Sequence, residues 1–215
     1  MKLYVIAGSP NSRKVLAVVK HLGIDIETHS LDLFKGDNKQ AEYLSLNPNG
    51  MVPCLVDGDL SLWESNAINQ FLADTVQGQD IYPEALSVRA DINRWLSWEL
   101  AHFNQAFGTL ALEAVAKPKF MQSEGEPAVI KWAQEQLARF SSVLNSHLEN
   151  RMFVVGESVT IADYAMIHVE FFKESVPFDW SPYPHLNAYF DRIRQSPIWQ
   201  STAASSIENI GRVVS

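Results

Sequence analysis

Cysteine occurs once in this 215-residue chain, as Cys54. A lone thiol excludes an internal disulfide, a CxxC redox pair and a cysteine-rich zinc site, and no metal is expected. Basic residues are also few, seventeen Lys and Arg against twenty-five Asp and Glu, and they are scattered. Nucleic-acid binders carry a basic stripe, so no nucleic-acid partner is expected, and the net charge of −8 mainly favours solubility. No apolar run reaches the ~18 residues of a membrane span, and the apolar stretch in residues 1–8 is too short for a signal peptide. The expectation is a cytoplasmic protein without a membrane partner. Repeats and low-complexity tracts are lacking too.

What is present divides into two patterns. Residues 2–7 and 25–29 read as strands around a helix over 12–21, whose Val15, Val18, Val19 and Leu22 share a face and whose stop is Gly23. A short helix follows over 41–45. Residues 52–56 and 60–62 flank Asp57-Gly58-Asp59, a hairpin signal. A further helix spans 65–74, with Ile68, Phe71 and Leu72 on one face. A crossover makes the first two strands parallel, and the tight turn makes the last two antiparallel. This order, β-α-β-α-β-β-α, predicts a thioredoxin-like α/β domain over residues 1–76.

From residue 84 onward helical periods take over. Apolar spacing predicts helices over 86–116, 127–148, 160–172 and 184–194, a helical bundle domain spanning 84–215. Thr160 and Asp163 have capping-box spacing, with Asp in place of Glu or Gln, and Val159 and Tyr164 stand as a hydrophobic staple. Helix initiation explains Asp163 better than acid catalysis does.

The segment Asn47-Pro48-Asn49-Gly50-Met51-Val52-Pro53-Cys54-Leu55 is the most informative. Proline opening a buried strand forfeits a ladder hydrogen bond. A cis Val52-Pro53 bond would free the amide and carbonyl of Val52 to pair with an extended peptide; an edge-strand proline without a ligand is the alternative. Ten residues on, Ser65 is a natural N-cap, and the open helix end behind it suits a carboxylate. Glu64 beside it suits an α-ammonium group. A ligand bearing both charges on one carbon, such as a γ-glutamyl unit, would be held at two points.

Val-Pro followed by Glu-Ser at a helix start resembles the glutathione site of the glutathione transferases. Phe153-Val154-Val155-Gly156-Glu157-Ser158-Val159-Thr160-Ile161-Ala162-Asp163 is similar to that family's helical-domain core motif, so the resemblance spans the chain. It implies that Val52, beside Pro53, pairs with the cysteinyl backbone of glutathione and that Glu64 and Ser65 hold the γ-glutamyl end. Lys39 and Asn38 would approach the glycyl carboxylate, and Met51 would add packing. It also implies a homodimer.

The resemblance puts the thiol-activating group at the end of the first strand. In serine-type classes the active serine lies four positions before the arginine of this helix, and counting back from Arg13 gives Ser9. Some bacterial relatives use a Thr-Pro-Asn arrangement whose Asn approaches the sulfur, so Asn11 of Ser9-Pro10-Asn11 is a second candidate. Ser12 is a third, although it also reads as a first-turn residue. Tyr4 does not occupy the position of a catalytic tyrosine. Cys54 reads as a buried core residue, which argues against thiol-exchanging members. His102, Phe103 and Phe107 are candidates for the electrophile pocket, with core packing as the competing reading. The expected function is conjugation of glutathione to hydrophobic electrophiles. A glutathione-dependent disulfide or peroxide reductase and a non-catalytic binding module are the alternatives.

Overall fold

The computed structural model describes residues 1–6, 8–203 and 212–213. The chain forms two units, Met1–Pro83 with Gln195–Ser215, and Glu84–Arg194. The helical domain expected over 84–215 is therefore cut short at its C-terminal end. The cause lies in the first helix. The Arg13 guanidinium donates to the Trp199 carbonyl (3.0 Å) and to Thr202 Oγ1 (3.1 Å), and it lies 4.1 Å from the Trp199 ring centroid. These bonds and a cation–π contact tie the short helix Pro197–Gln200 to the first unit.

In that unit the sheet comprises β1 (Lys2–Val5), β2 (Glu27–Ser30), β3 (Cys54–Asp57), β4 (Leu60–Trp63) and the two-residue β5 (Arg212–Val213), in the order β4-β3-β1-β2-β5. β1 and β2 are parallel; β1 with β3 and β3 with β4 are antiparallel. Leu3, Val5 and Leu55 are fully buried. Helix α1 (Pro10–Leu22) starts with Pro at N1, where the missing amide costs nothing, and ends on Gly23 at φ 64°. It buries Val15, Leu16, Val18 and Val19, and also Lys14. Helix α2 (Ala41–Leu46) is short, and α3 (Ser65–Asp74) packs on α1 with Ile68 and Leu72 inward.

In the second unit the helix expected over 86–116 is one helical course with two π-turns. It runs as α4 (Leu86–Trp98), a π-turn (Glu99–Phe103), α5 (Asn104–Ala111), a second π-turn (Leu112–Ala116) and α6 (Lys117–Phe120). Each π-turn carries a buried glutamate, Glu99 at its first position and Glu113 at its second. Glu99 lies 3.3 Å from His168 Nδ1. Glu113 pairs with Lys117 (2.7 Å) and accepts the Glu126 amide (2.9 Å), which anchors the start of α7 (Pro127–His147). Lys117 first, then that amide, holds the Glu113 carboxyl below the usual range. Helices α8 (Ile161–Met166), α9 (Glu170–Lys173) and α10 (Pro184–Arg194) complete the described helices of this unit.

The capping box at Thr160 is formed in both directions. Asp163 is fully buried and accepts from the Thr160 amide (2.7 Å), the Thr160 hydroxyl (3.0 Å), the Val154 amide (2.9 Å) and the Tyr189 hydroxyl (3.0 Å). One carboxylate thus joins the 154–160 loop, α8 and α10. Burial raises its pKa to about 6, outweighing the four donors. The folded value exceeds the unfolded one, so this contribution is fully present below about pH 4 and is lost as pH rises through 6. Two units correspond to about 3 kcal/mol. Urea unfolding at stepped pH checks this: wild-type stability relative to Asp163→Asn is expected to rise by about that amount between pH 7 and pH 4. Asp163→Ala, which orphans all four donors, is expected to cost about 3–5 kcal/mol at pH 7.

Candidate active site

Strand directions gather the candidate residues of the first unit. β3 runs antiparallel to β1 with Cys54 opposite Tyr4, so Val52-Pro53 lies beside the end of β1, which leads into Ser9. Cys54 is also opposite Trp63, so Glu64 follows β4 at the same sheet edge. β2 ends there too, since the Leu31 amide donates to the Val5 carbonyl (2.8 Å). The chain from β2 reaches Asn38 and Lys39 through a turn built on Asp32 and Asp37. Ligand sites in α/β folds commonly form where strand ends and helix starts meet in this way.

Each loop is fixed by side chains that bond backbone. Val52-Pro53 is cis. No hydrogen bond within the described residues engages the Val52 amide or carbonyl, leaving both open for an added strand. The preceding carbonyl, of Met51, accepts from Asn47 Nδ2 (2.8 Å) and from the Tyr43 hydroxyl. Asn47 Oδ1 in turn accepts from the Asn49 amide (3.1 Å). Asn47 and Tyr43 are therefore positioning residues, and nothing in their local sequence pattern announces it. Burial, chiefly, lifts the Tyr43 hydroxyl far above its ordinary pKa, so it stays a donor. The Met51 side chain stands 69% exposed.

Asn38 departs from the expected role. It is buried, and its Nδ2 donates to the Gly50 carbonyl (2.8 Å), bracing the loop before Val52-Pro53. A Cβ at Gly50, which sits at φ +61°, would lie 3.0 Å from the Asn38 carbonyl, so both the conformation and the close approach call for glycine. Lys39 is exposed at the end of the short turn Asp37–Lys39.

Ser65 is also displaced by one position from its expected role. Glu64 is the N-cap of α3, and Ser65 is the first helical residue. No side chain caps this end, so the helix offers open amides and its positive dipole end to an anion. Glu64 is exposed and holds φ 76°, ψ 111°, a conformation that side chains with a Cβ rarely adopt.

At α1 the three candidates separate. Ser9 is the N-cap, and its oxygen accepts the Ser12 amide (3.3 Å). Accepting through a lone pair leaves the hydroxyl hydrogen available to a sulfur. Asn11 is exposed in the first turn. Ser12 is fully buried, with its oxygen accepting the Ile6 amide (3.3 Å), which makes it a structural tie. Cys54 is buried, and burial raises its thiol pKa, in keeping with a core residue. Tyr4 stacks on His29 (4.9 Å).

The proposed electrophile residues are not brought together. Phe103 and Phe107 are core residues, 0% and 3% exposed; Phe103 stacks on Trp98 and Phe107 neighbours Trp180. His102 faces α7 and stacks on Phe140 (5.0 Å). Phe103 and Phe107, four residues apart, share the core-facing side, whereas His102, the neighbour of Phe103, points to a different face toward α7. Among the described residues no group of three or more His, Cys, Asp or Glu could hold a metal ion, and no helix is long and apolar enough to cross a membrane.

A mixed sheet with a parallel β1–β2 pair and an antiparallel β3–β4 hairpin, packed with α1 and α3, defines a thioredoxin-like domain. The N-terminal domain model of the glutathione S-transferases matches residues 1–74, and the C-terminal domain model matches residues 107–197. Glutathione S-transferase 3 of Zea mays is 33% identical over 210 residues, 95% of this chain and 94% of that protein. A glutathione S-transferase of Hyoscyamus muticus is 32% identical over 205 residues, 93% and 95% respectively. The theta-class glutathione S-transferase of Xanthomonas axonopodis pv. citri, solved with glutathione bound, superposes with a TM-score of 0.82 at 29% identity, covering 94% of this chain and 96% of its own. The chain belongs to the glutathione S-transferase family.

The strained N-cap is testable by itself. Glu64→Gly, which tolerates positive φ, is expected to raise stability by about 1 kcal/mol in urea unfolding. Ser12→Ala, which orphans the Ile6 amide, is expected to lower it by about 1–2 kcal/mol.

Proposed function

We propose that this transferase binds glutathione along the strand-end edge of its first unit and that Ser9 stabilises the thiolate. The observation that carries this reading is the Ser9 hydroxyl, which caps α1 through its oxygen and keeps its hydrogen for the sulfur. The Val52 amide and carbonyl pair with the cysteinyl backbone. The open start of α3, with Ser65, holds the γ-glutamyl carboxylate, and Glu64 pairs with the ammonium. Lys39 meets the glycyl carboxylate, whereas Asn38 supports the loop.

A free thiol has a pKa of ~8.5, so most of it is protonated at neutral pH. Lowering that by about two units takes ~2.7 kcal/mol of selective stabilisation, which a charge-assisted hydroxyl bond plus the α1 terminus can supply. The thiol proton leaves to solvent and the sulfur pair forms a C–S bond to a hydrophobic electrophile. The leaving group departs with its bonding electrons, or the adduct takes up a proton. The reaction needs no metal. A cytoplasmic homodimer is the proposed working form.

Ser9→Ala is expected to cut kcat/KM with an aryl halide about 100-fold at pH 6.5 and much less above pH 9, with the glutathione KM changing little. Asn11→Ala is expected to retain near wild-type rates. The reverse pattern would move the role to Asn11. Glutathione binding without turnover of an aryl halide, a hydroperoxide or a mixed disulfide would support a binding module instead.

A further inference from the structure

The loop between α2 and β3 holds the one Asn-Gly pair of the chain, Asn49-Gly50. Such a pair carries a chemistry of its own. The backbone nitrogen of the second residue can attack the asparagine side-chain carbonyl, and glycine, without a Cβ, hinders that approach least. A C–N bond forms and the Cγ–Nδ2 bond breaks. The amide proton leaves with the departing ammonia, and a five-membered succinimide remains. Water then opens the ring at either carbonyl. One opening gives aspartate, and the other gives isoaspartate, whose backbone runs through the former side chain. Asn49 is exposed, so water reaches it.

The fold restrains each reacting atom. The Gly50 amide, which is the nucleophile, donates to the Asn47 carbonyl at 2.9 Å. Asn49 Nδ2, which is the leaving group, donates to Asn47 Oδ1 at 3.0 Å. The Asn49 amide donates to the same oxygen at 3.1 Å. An N–H engaged with an acceptor is harder to deprotonate, and a tied side chain cannot swing onto it. From the other side Asn38 Nδ2 holds the Gly50 carbonyl at 2.8 Å. Gly50 lies so close to the Asn38 backbone that an added Cβ would stand 3.0 Å from its carbonyl. The peptide plane that has to rotate for ring closure is therefore clamped from two sides.

We propose that Asn49-Gly50 is a self-modification site and that Asn47 sets its rate by guarding it. Conversion undoes the guard. A carboxylate at position 49 sets oxygen against Asn47 Oδ1, where Nδ2 donates before conversion. Isoaspartate also adds one backbone atom to a loop that Asn47 ties at the Gly50 amide and at the Met51 carbonyl. Met51 precedes the cis Val52-Pro53 bond, so the added atom displaces the Val52 edge. The chemical step is independent of what binds there, whereas its effect on glutathione rests on the function proposed above.

Peptide mapping by mass spectrometry at mildly alkaline pH, with isoaspartate counted by enzymatic methylation, tests it. Folded wild type is expected to convert at Asn49 about a hundredfold more slowly than wild type unfolded in urea, the combined effect of three hydrogen bonds of typical net strength. Asn47→Ala, verified as folded by circular dichroism, is expected to convert about tenfold faster than folded wild type. Aged wild type, separated from fresh protein by its added charge, is expected to bind S-hexylglutathione about tenfold more weakly. Equal rates in folded and unfolded wild type, a comparison that needs no variant, would overturn the proposal. A folded Asn47→Ala that converts at the wild-type rate would overturn it as well. Aged protein that binds as tightly as fresh protein would overturn the coupling to the Val52 edge. Fresh protein that binds no S-hexylglutathione would instead contradict glutathione binding itself, and the conversion rates would still decide the guard.

Discussion

The antiparallel pairing of β3 with β1, Cys54 opposite Tyr4, is the constraint on which the proposed glutathione edge depends. With that register, the turn into Val52-Pro53 meets the end of β1, and β4 delivers Glu64 to the same edge. A slip by one residue would exchange the two faces of β3 and carry the loop with it. Cys54 and Leu55 point to opposite faces and are both fully buried, and the register is held by pairing with β1 on one side and β4 on the other. Loop shape is then held from below, by Asn38 on Gly50 and by Asn47 and Tyr43 on Met51. The backbone of Val52 is thereby held still and left open, which is the preorganisation that peptide recognition needs.

Function adds strain where structure alone would not. Glu64 could be relieved by glycine, but glycine would remove the carboxylate proposed to face the ammonium of glutathione. At α1 the cap and the proposed thiol donation coincide on Ser9, because they use different parts of one hydroxyl. Arg13, one turn on, joins the same helix to the Trp199 segment.

Much of this was legible from residue order. Gly23 ends α1, Asp57-Gly58 turns the hairpin, and the helix Ser65–Asp74 has the bounds that its spacing predicts. Local rules govern such features, so local sequence carries them. The roles of Asn38 and Asn47 were hidden because each bonds a carbonyl that only the folded loop brings near. Sequence alone assigns residues from 195 onward to the helical domain, since nothing short-range records the bond from Arg13 to Trp199. Phe103 and Phe107 lie four apart on the core face, and His102, next to Phe103, faces α7 instead. Asp163 was readable as a cap, but its bonds to Val154 and Tyr189 extend that cap into a clamp on three segments.

The most direct test of the central claim is the pH titration of the thiol of bound glutathione, followed by the ultraviolet absorbance of the thiolate on the wild-type protein. A pKa about two units below that of the free thiol is the result expected from hydroxyl and helix-terminus stabilisation at Ser9. A bound thiol that titrates like free glutathione would contradict it.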